Sequence, residues 1–244
     1  MQLKQVAQSI LDRVQFYLDV LPGLPYQPLP WLGLHNAKRS VGTLQRWNAI
    51  KEVISQCSCG SAIDVGCNVG FFSLSIAEMG IPVLAVDNHE SSLRIGQYAS
   101  KRTNVSNVTF AKLEVNPDTM RLLPSADIII FLSVFHHWVR HFGFPVATQM
   151  LKGLWEKCNV VMFFETGESE MPLCFGLPEM KPTCQEWLEN YLRTECNPAS
   201  IKHLGCFKAF GPGGNETHNV VTRNLFAVHR KPPLGCGNGN RPAP

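Results

Sequence analysis

The sequence predicts an α/β protein built on a doubly wound, mostly parallel sheet, with an N-terminal helical extension. Three observations predict it. From Ser61 to Arg230, short apolar runs rich in β-branched residues alternate with stretches of helical periodicity. Residues 126–133, Ala-Asp-Ile-Ile-Ile-Phe-Leu-Ser, are almost continuously apolar, as a strand covered on both faces requires. Residues 61–73, Ser-Ala-Ile-Asp-Val-Gly-Cys-Asn-Val-Gly-Phe-Phe-Ser, pass from an apolar run into Gly66 and Gly70 and then into an apolar helical pattern. That is a strand, a glycine turn and a helix.

Composition sets the scale. A chain of 244 residues, 45% of them hydrophobic, can bury one large domain with a helical extension, and no repeat of 20–50 residues runs through it. A formal net charge of +3 does not by itself imply a nucleic-acid partner. The nine cysteines are odd in number, scattered and without a C-x-x-C pair, so neither a disulfide framework nor a common zinc site follows, and no metal is expected. Residues 1–21 hold no long apolar run, and a cytoplasmic protein without membrane insertion is expected.

Three regions are expected: 1–55 as a helical extension and lid, 56–231 as the ligand-binding domain, and 232–244 as a disordered tail. Leu3, Val6, Ile10, Val14, Tyr17, Leu18 and Leu21 form one apolar stripe on a helix. With acids and bases cancelling, that stripe is expected to pack on the protein's own domain. The proline-rich segment 22–33 reads as an extended strap anchored by Tyr26 and Trp31. Residues 35–54 turn helical near Thr43 and carry Lys38, Arg39, Arg46 and Lys51 against Glu52 alone. They are either a solvated face or a basic lid that meets a carboxylate or phosphate of the bound molecules.

The unpaired amides at the helix start after the glycine turn favour an anionic or strongly polar ligand group. A dinucleotide fingerprint would place glycines where Asn68 and Phe71 stand, which disfavours an NAD-type oxidoreductase. Asp64, Gly66, Asn68 and Gly70 form instead an Asp-x-Gly-x-Asn-x-Gly loop, which resembles the first motif of the class I S-adenosylmethionine-dependent methyltransferases. The resemblance implies that this loop, Cys67 included, binds the cofactor S-adenosylmethionine.

Residues 82–87 read as the second strand and end in Asp87, 21 positions after Gly66 and followed by Asn88. A carboxylate at a neighbouring strand end can accept both ribose hydroxyls; the competing reading is a cap on the following helix. Residues 108–113 read as a third strand leading to Glu114, where the family has an acidic residue at the adenine amino group, with Leu113 able to stack nearby. The fourth strand, ending at Ser133, runs into Val-Phe-His-His-Trp-Val, with Arg140 and His141 behind.

The stretch from Leu132 to Trp138 is similar to tRNA wobble-uridine methyltransferases. The Asp64–Gly70 loop with Leu74-Ser-Ile-Ala is similar to RNA 5′-phosphate methyltransferases. His136 and His137 are both candidates for accepting the acceptor's proton, or for a merely structural place.

A helix over 146–157 precedes a fifth strand over 160–164, which delivers Glu165 and Glu168 to the same edge as an alternative base and a substrate contact. Lys38, Arg39 and Arg46 are further substrate candidates, and the loop 171–182 is expected to touch substrate. A helix over 185–193 and strands over 202–210 and 224–230 fit the hairpin that completes the family's seven-stranded sheet. The implied activity is methyl transfer to an oxygen or nitrogen of RNA or of a small molecule. A catalytically silent nucleoside-binding subunit is the alternative, and the sequence leaves the oligomeric state open.

Overall fold

Strand β1 (Ala62–Val65) sits inside a seven-stranded sheet of order β3-β2-β1-β4-β5-β7-β6. The other strands are β2 (Val83–Asp87), β3 (Val108–Lys112), β4 (Ala126–Leu132), β5 (Cys158–Glu165), β6 (Ser200–Phe210) and β7 (Val220–His229). The helices are α1 (Gln2–Val20), α2 (Thr43–Ser55), α3 (Phe71–Glu78), α4 (Glu90–Thr103), α5 (Phe135–Phe142), α6 (Phe144–Glu156) and α7 (Cys184–Cys196). This computed structural model describes residues 2–20, 26–35, 42–210 and 220–231. The expected tail at 232–244 lies outside the described residues.

The first five strands are parallel, and β7 runs antiparallel to both β5 and β6. The chain builds outward from β1 to β3 and then returns to place β4 on the other side of β1. Strand order therefore reverses between β1 and β4, where the diverging loops of a parallel sheet leave a crevice at the carboxyl ends.

The apolar runs are explained by two-sided burial. Successive β4 residues point to opposite faces: Ile129 and Phe131 join the core built with α5, α6 and α7, while Ile128 and Ile130 join the core built with α2 and α3. On the second face Ile50, Val53 and Ile54 of α2 meet Phe72 and Ile76 of α3. Residues after β4, which carry a strong apolar stripe of their own, form α5.

The N-terminal helix forms, but not with the expected orientation. Ile10, Leu11, Val14, Tyr17 and Leu18 are 51–61% exposed, so the described part of the apolar stripe faces away from the domain. The helix is held on α4 by its other side: Phe16 stacks on Tyr98 with centroids 4.5 Å apart, Asp19 pairs with Arg94 at 2.8 Å, and Asp12 pairs with Lys101 at 2.8 Å. The reason is order of burial. Helices α3 and α4 already cover that face of the sheet, and the outer side of α4 presents Arg94, Tyr98 and Lys101, which match the polar side of α1.

The described part of the strap, residues 26–33, folds into a tight loop in which Leu29 and Leu34 bridge across a 3-10 turn at Pro30–Leu32. Trp31 Nε1 donates to Glu78 at the end of α3, and Gln27 Oε1 accepts the Phe71 N–H at its start, 3.0 Å away. One of the helix-start amides expected to face a ligand is thus taken by the strap. No described helix is long and apolar enough to cross a membrane.

Candidate active site

The loop after β1 is shaped by close approach. Gly66 has φ +73°, and a Cβ there would lie 2.4 Å from Val134 Cγ2; Gly70 has φ +80°, and its Cβ would lie 2.5 Å from Phe110 Cε1. Larger residues would push the loop off both neighbours. Asn68 also takes a left-handed φ of 54°, a conformation that asparagine tolerates better than most residues. Beneath the loop, buried Asp64 accepts a hydrogen bond from Ser73 Oγ at 2.6 Å. Burial pushes its carboxyl up to about 7, Ser73 opposes the shift, and the nearby Asp87 charge adds to it.

Asp87 joins two loops. Its Oδ2 accepts the Asn68 N–H at 2.8 Å and its Oδ1 accepts the His89 N–H at 2.8 Å. The second bond closes a turn ahead of α4, whose N-cap is His89 with no side-chain cap, so Asp87 does not cap that helix. Each of its carboxylate oxygens keeps a further acceptor site.

A cleft of about 380 Å³ opens at the β1/β4 crevice. One wall is formed by Gly66, Asn68, Asp87, Asn88, Leu113 and Glu114. The opposite wall is Ser133 and Val134 with His137, Trp138, His141 and Phe142 of α5, while Tyr26 and Gln27 of the strap and Thr43 and Arg46 of α2 complete it.

Residues 63–152 match the family model described as methyltransferase domain. The matched stretch runs from β1 into α6 and includes both walls' strand ends. Among curated proteins, the chain is 27% identical over 120 residues to the O-antigen chain terminator bifunctional methyltransferase/kinase WbdD of Escherichia coli, covering 49% of this chain and 17% of that protein. It is 26% identical over 109 residues to the ubiquinone biosynthesis O-methyltransferase of Acinetobacter baumannii (strain ACICU), covering 44% of this chain and 46% of that one. The chain thus spans less than half the length of either.

Among solved structures, WbdD superposes with a TM-score of 0.61 at 23% identity, covering 76% of this chain and 40% of that one. The magnesium protoporphyrin IX methyltransferase ChlM from Synechocystis PCC 6803 with bound SAM superposes with a TM-score of 0.53 at 16% identity, covering 77% and 79%. These likenesses show the fold, a class I methyltransferase sheet with flanking helices.

Against this cleft, the residues expected from the sequence divide. Gly66, Asn68, Asp87, Asn88, Leu113, Glu114, Ser133, His137 and Arg46 line it. Asp64, Cys67 and Gly70 lie behind the loop that they shape; burial holds the Cys67 thiol well above its usual range. Lys38 and Arg39 lie outside the described residues.

The two histidine rings touch, with centroids 4.3 Å apart, but only one of them lines the cleft. His136 is buried, its Nδ1 accepts the Gly167 N–H at 2.8 Å with Thr166 Oγ1 at 3.4 Å, and it does not line the cleft. His137 does line it and is exposed. One step along a helix turns a side chain by about 100°, so adjacent histidines cannot share a direction. The expected substrate loop at 171–182 likewise does not line the cleft; its Phe175 packs against both histidine rings from behind, with centroids 5.8 and 5.9 Å away.

Glu165 and Glu168 are structural neighbours of the cleft. Glu165, fully buried, accepts from Ser133 Oγ at 2.7 Å and pairs with Arg46 Nε at 3.1 Å; Arg46 also donates to the Lys208 carbonyl at 2.9 Å. Glu168 accepts from the backbone N–H of Asn224 and from its Nδ2 at 2.9 and 3.0 Å, and burial raises its pKa. Arg223 extends the network, donating to Ser133 Oγ at 3.1 Å and to Glu170 Oε1 at 2.8 Å.

The sequence alone did not place Gln27, Thr43, His141 or Phe142 at the cleft. The first two reach it only through tertiary packing. His141, one helical turn after His137, could have been found once that segment was read as a helix.

Proposed function

We propose that the protein is an S-adenosylmethionine-dependent methyltransferase acting on an oxygen of a small molecule or glycan. The observation that carries this reading is that Gly66, Asn68 and Asp87 on one wall and His137 on the other face a single cleft.

The residues fit the cofactor. Asn68 Oδ1 is buried with no hydrogen-bond partner among the described residues, an acceptor available to an ammonium group. Asp87 has acceptor sites left for ribose hydroxyls, Leu113 offers an apolar contact, and Glu114 stands at the rim for an amino group. When bound, S-adenosylmethionine supplies an electrophilic methyl group on a sulfonium. The chain's contribution is to hold the acceptor against it and to remove a proton from the attacking oxygen, for which the His137 imidazole, one helical turn before His141 in the same wall, is suited in type and place. The Arg46–Glu165–Ser133 group keeps the floor rigid beneath it.

Two findings favour a small acceptor over RNA. Arg46 has its charge matched by buried Glu165, so it is a weak phosphate contact. The relatives named above carry the names of an O-antigen chain terminator and of a ubiquinone biosynthesis O-methyltransferase.

The test has two stages. Calorimetry with S-adenosylmethionine and S-adenosylhomocysteine should show binding that Asp87→Ala weakens. Methyl-labelled cofactor should then transfer label to a nuclease-resistant, low-mass fraction of cell extract. Label lost after nuclease treatment would transfer the assignment to RNA, and binding without any transfer would remove the enzymatic reading.

A further inference from the structure

The outward face of α1 is an exposed apolar surface that the cleft does not use. Its five apolar side chains form a pattern that is symmetric about Val14: Ile10 and Leu18 lie four residues to either side, and Leu11 and Tyr17 lie three to either side. In two helices crossing antiparallel on a two-fold axis at Val14, residue 14+n of one meets residue 14−n of the other. Val14 then meets its own counterpart, Ile10 meets the partner's Leu18, and Leu11 meets the partner's Tyr17.

We infer that this stripe is a self-complementary interface and that α1 joins two copies of this chain. The inference is independent of the reading of the cleft. Charge supports a second copy over other occupants. The two acids of the helix, Asp12 and Asp19, are turned inward onto Lys101 and Arg94, and Arg13 at the flank lies with its guanidinium 5.9 Å from the Tyr17 ring centroid. The stripe itself is uncharged, so an identical stripe opposes no like charges. A helix lying on anionic lipid instead presents a Lys/Arg-rich polar face, and here the polar face is occupied by α4.

The area reaches the threshold when the whole stripe is covered. Half-exposed side chains of this size present on the order of 100 Å² each, so complete burial of the five on both copies removes about 1,000 Å², the value that a specific interface must clear.

Sedimentation equilibrium of the chain and of three variants tests it. The wild type should sediment at twice the 27.2 kDa chain mass at micromolar concentration. Val14→Lys should sediment at the single-chain mass, with dissociation strengthened by at least ~100-fold, while Gln8→Lys, exposed outside the stripe, should behave as wild type. Circular dichroism checks that each variant folds, and Leu11→Lys replaces Val14→Lys should the latter not fold. A wild type that stays monomeric up to about 100 µM overturns the inference. So does a dimer that both stripe variants leave intact, and so does a monomer that floats with anionic vesicles only while the stripe is apolar.

Discussion

Arg46 Nε lies 3.1 Å from Glu165 Oε2, an ion pair between helix α2 and the end of strand β5 with the carboxylate fully buried. It fastens the segment before the sheet to the sheet's own floor, directly under the cleft.

Breaking that pair should be costly. Glu165→Ala leaves the guanidinium with its buried partner gone, and a loss of about 3–5 kcal/mol is expected. Urea unfolding of Glu165→Ala, Arg46→Met and the double variant gives the coupling. A double variant no more stable than the sum of the two singles predicts would show that the two charges do not act together.

Asp87→Ala should weaken S-adenosylmethionine binding by about 1–3 kcal/mol, roughly 5–150-fold in Kd, through lost hydrogen bonds to a charged group. Titration calorimetry reads this directly. Since Asp87 also holds the Asn68 and His89 amides, the folded fraction must be confirmed by circular dichroism. Unchanged affinity in a folded variant would take Asp87 out of the binding site.

The histidines should differ in kind. His137→Ala should lower kcat by about 10²–10⁴-fold with little change in Tm, as expected for a lost proton acceptor. His136→Ala should instead destabilise the fold by about 2–3 kcal/mol, because it empties a packed site and leaves the Gly167 N–H unpaired. Equal kcat losses in both variants at unchanged stability would contradict the division.

Asp64 predicts a pH dependence of stability. Its carboxyl is raised from 3.8 to about 7 in the folded protein. The folded state therefore holds a proton that the unfolded chain releases, so the contribution favours folding below about pH 4 and is lost as pH rises towards 7. Asp64→Asn keeps an acceptor for Ser73 and removes the titration. Unfolding free energies of wild type and variant, measured from about pH 4 to 8, should diverge by up to ~4 kcal/mol in the variant's favour. Parallel curves would mean that Asp64 titrates as an ordinary carboxylate.

Much of the architecture was legible in the chain because it is written in local pattern. The continuous apolar run of β4 can only be a strand with helices on both faces, and the abrupt change at Gly66 and Gly70 marks a turn whatever surrounds it. Asp87 was legible for the same reason, since neighbouring parallel strands end side by side and its distance from the loop is set by one crossover.

Direction was not legible. The sequence determined that residues 2–20 form an amphipathic helix, yet which side would be buried depended on the charges that α4 presents 75 or more residues later. The same holds at the cleft. His136 and His137 are chemically alike and adjacent, and Arg46 and Glu165 are 119 positions apart. The hydrophobic period of a segment fixes its shape through neighbours three or four residues away. What its polar side chains meet is decided by packing partners distant in the chain, and only the assembled sheet brings those together.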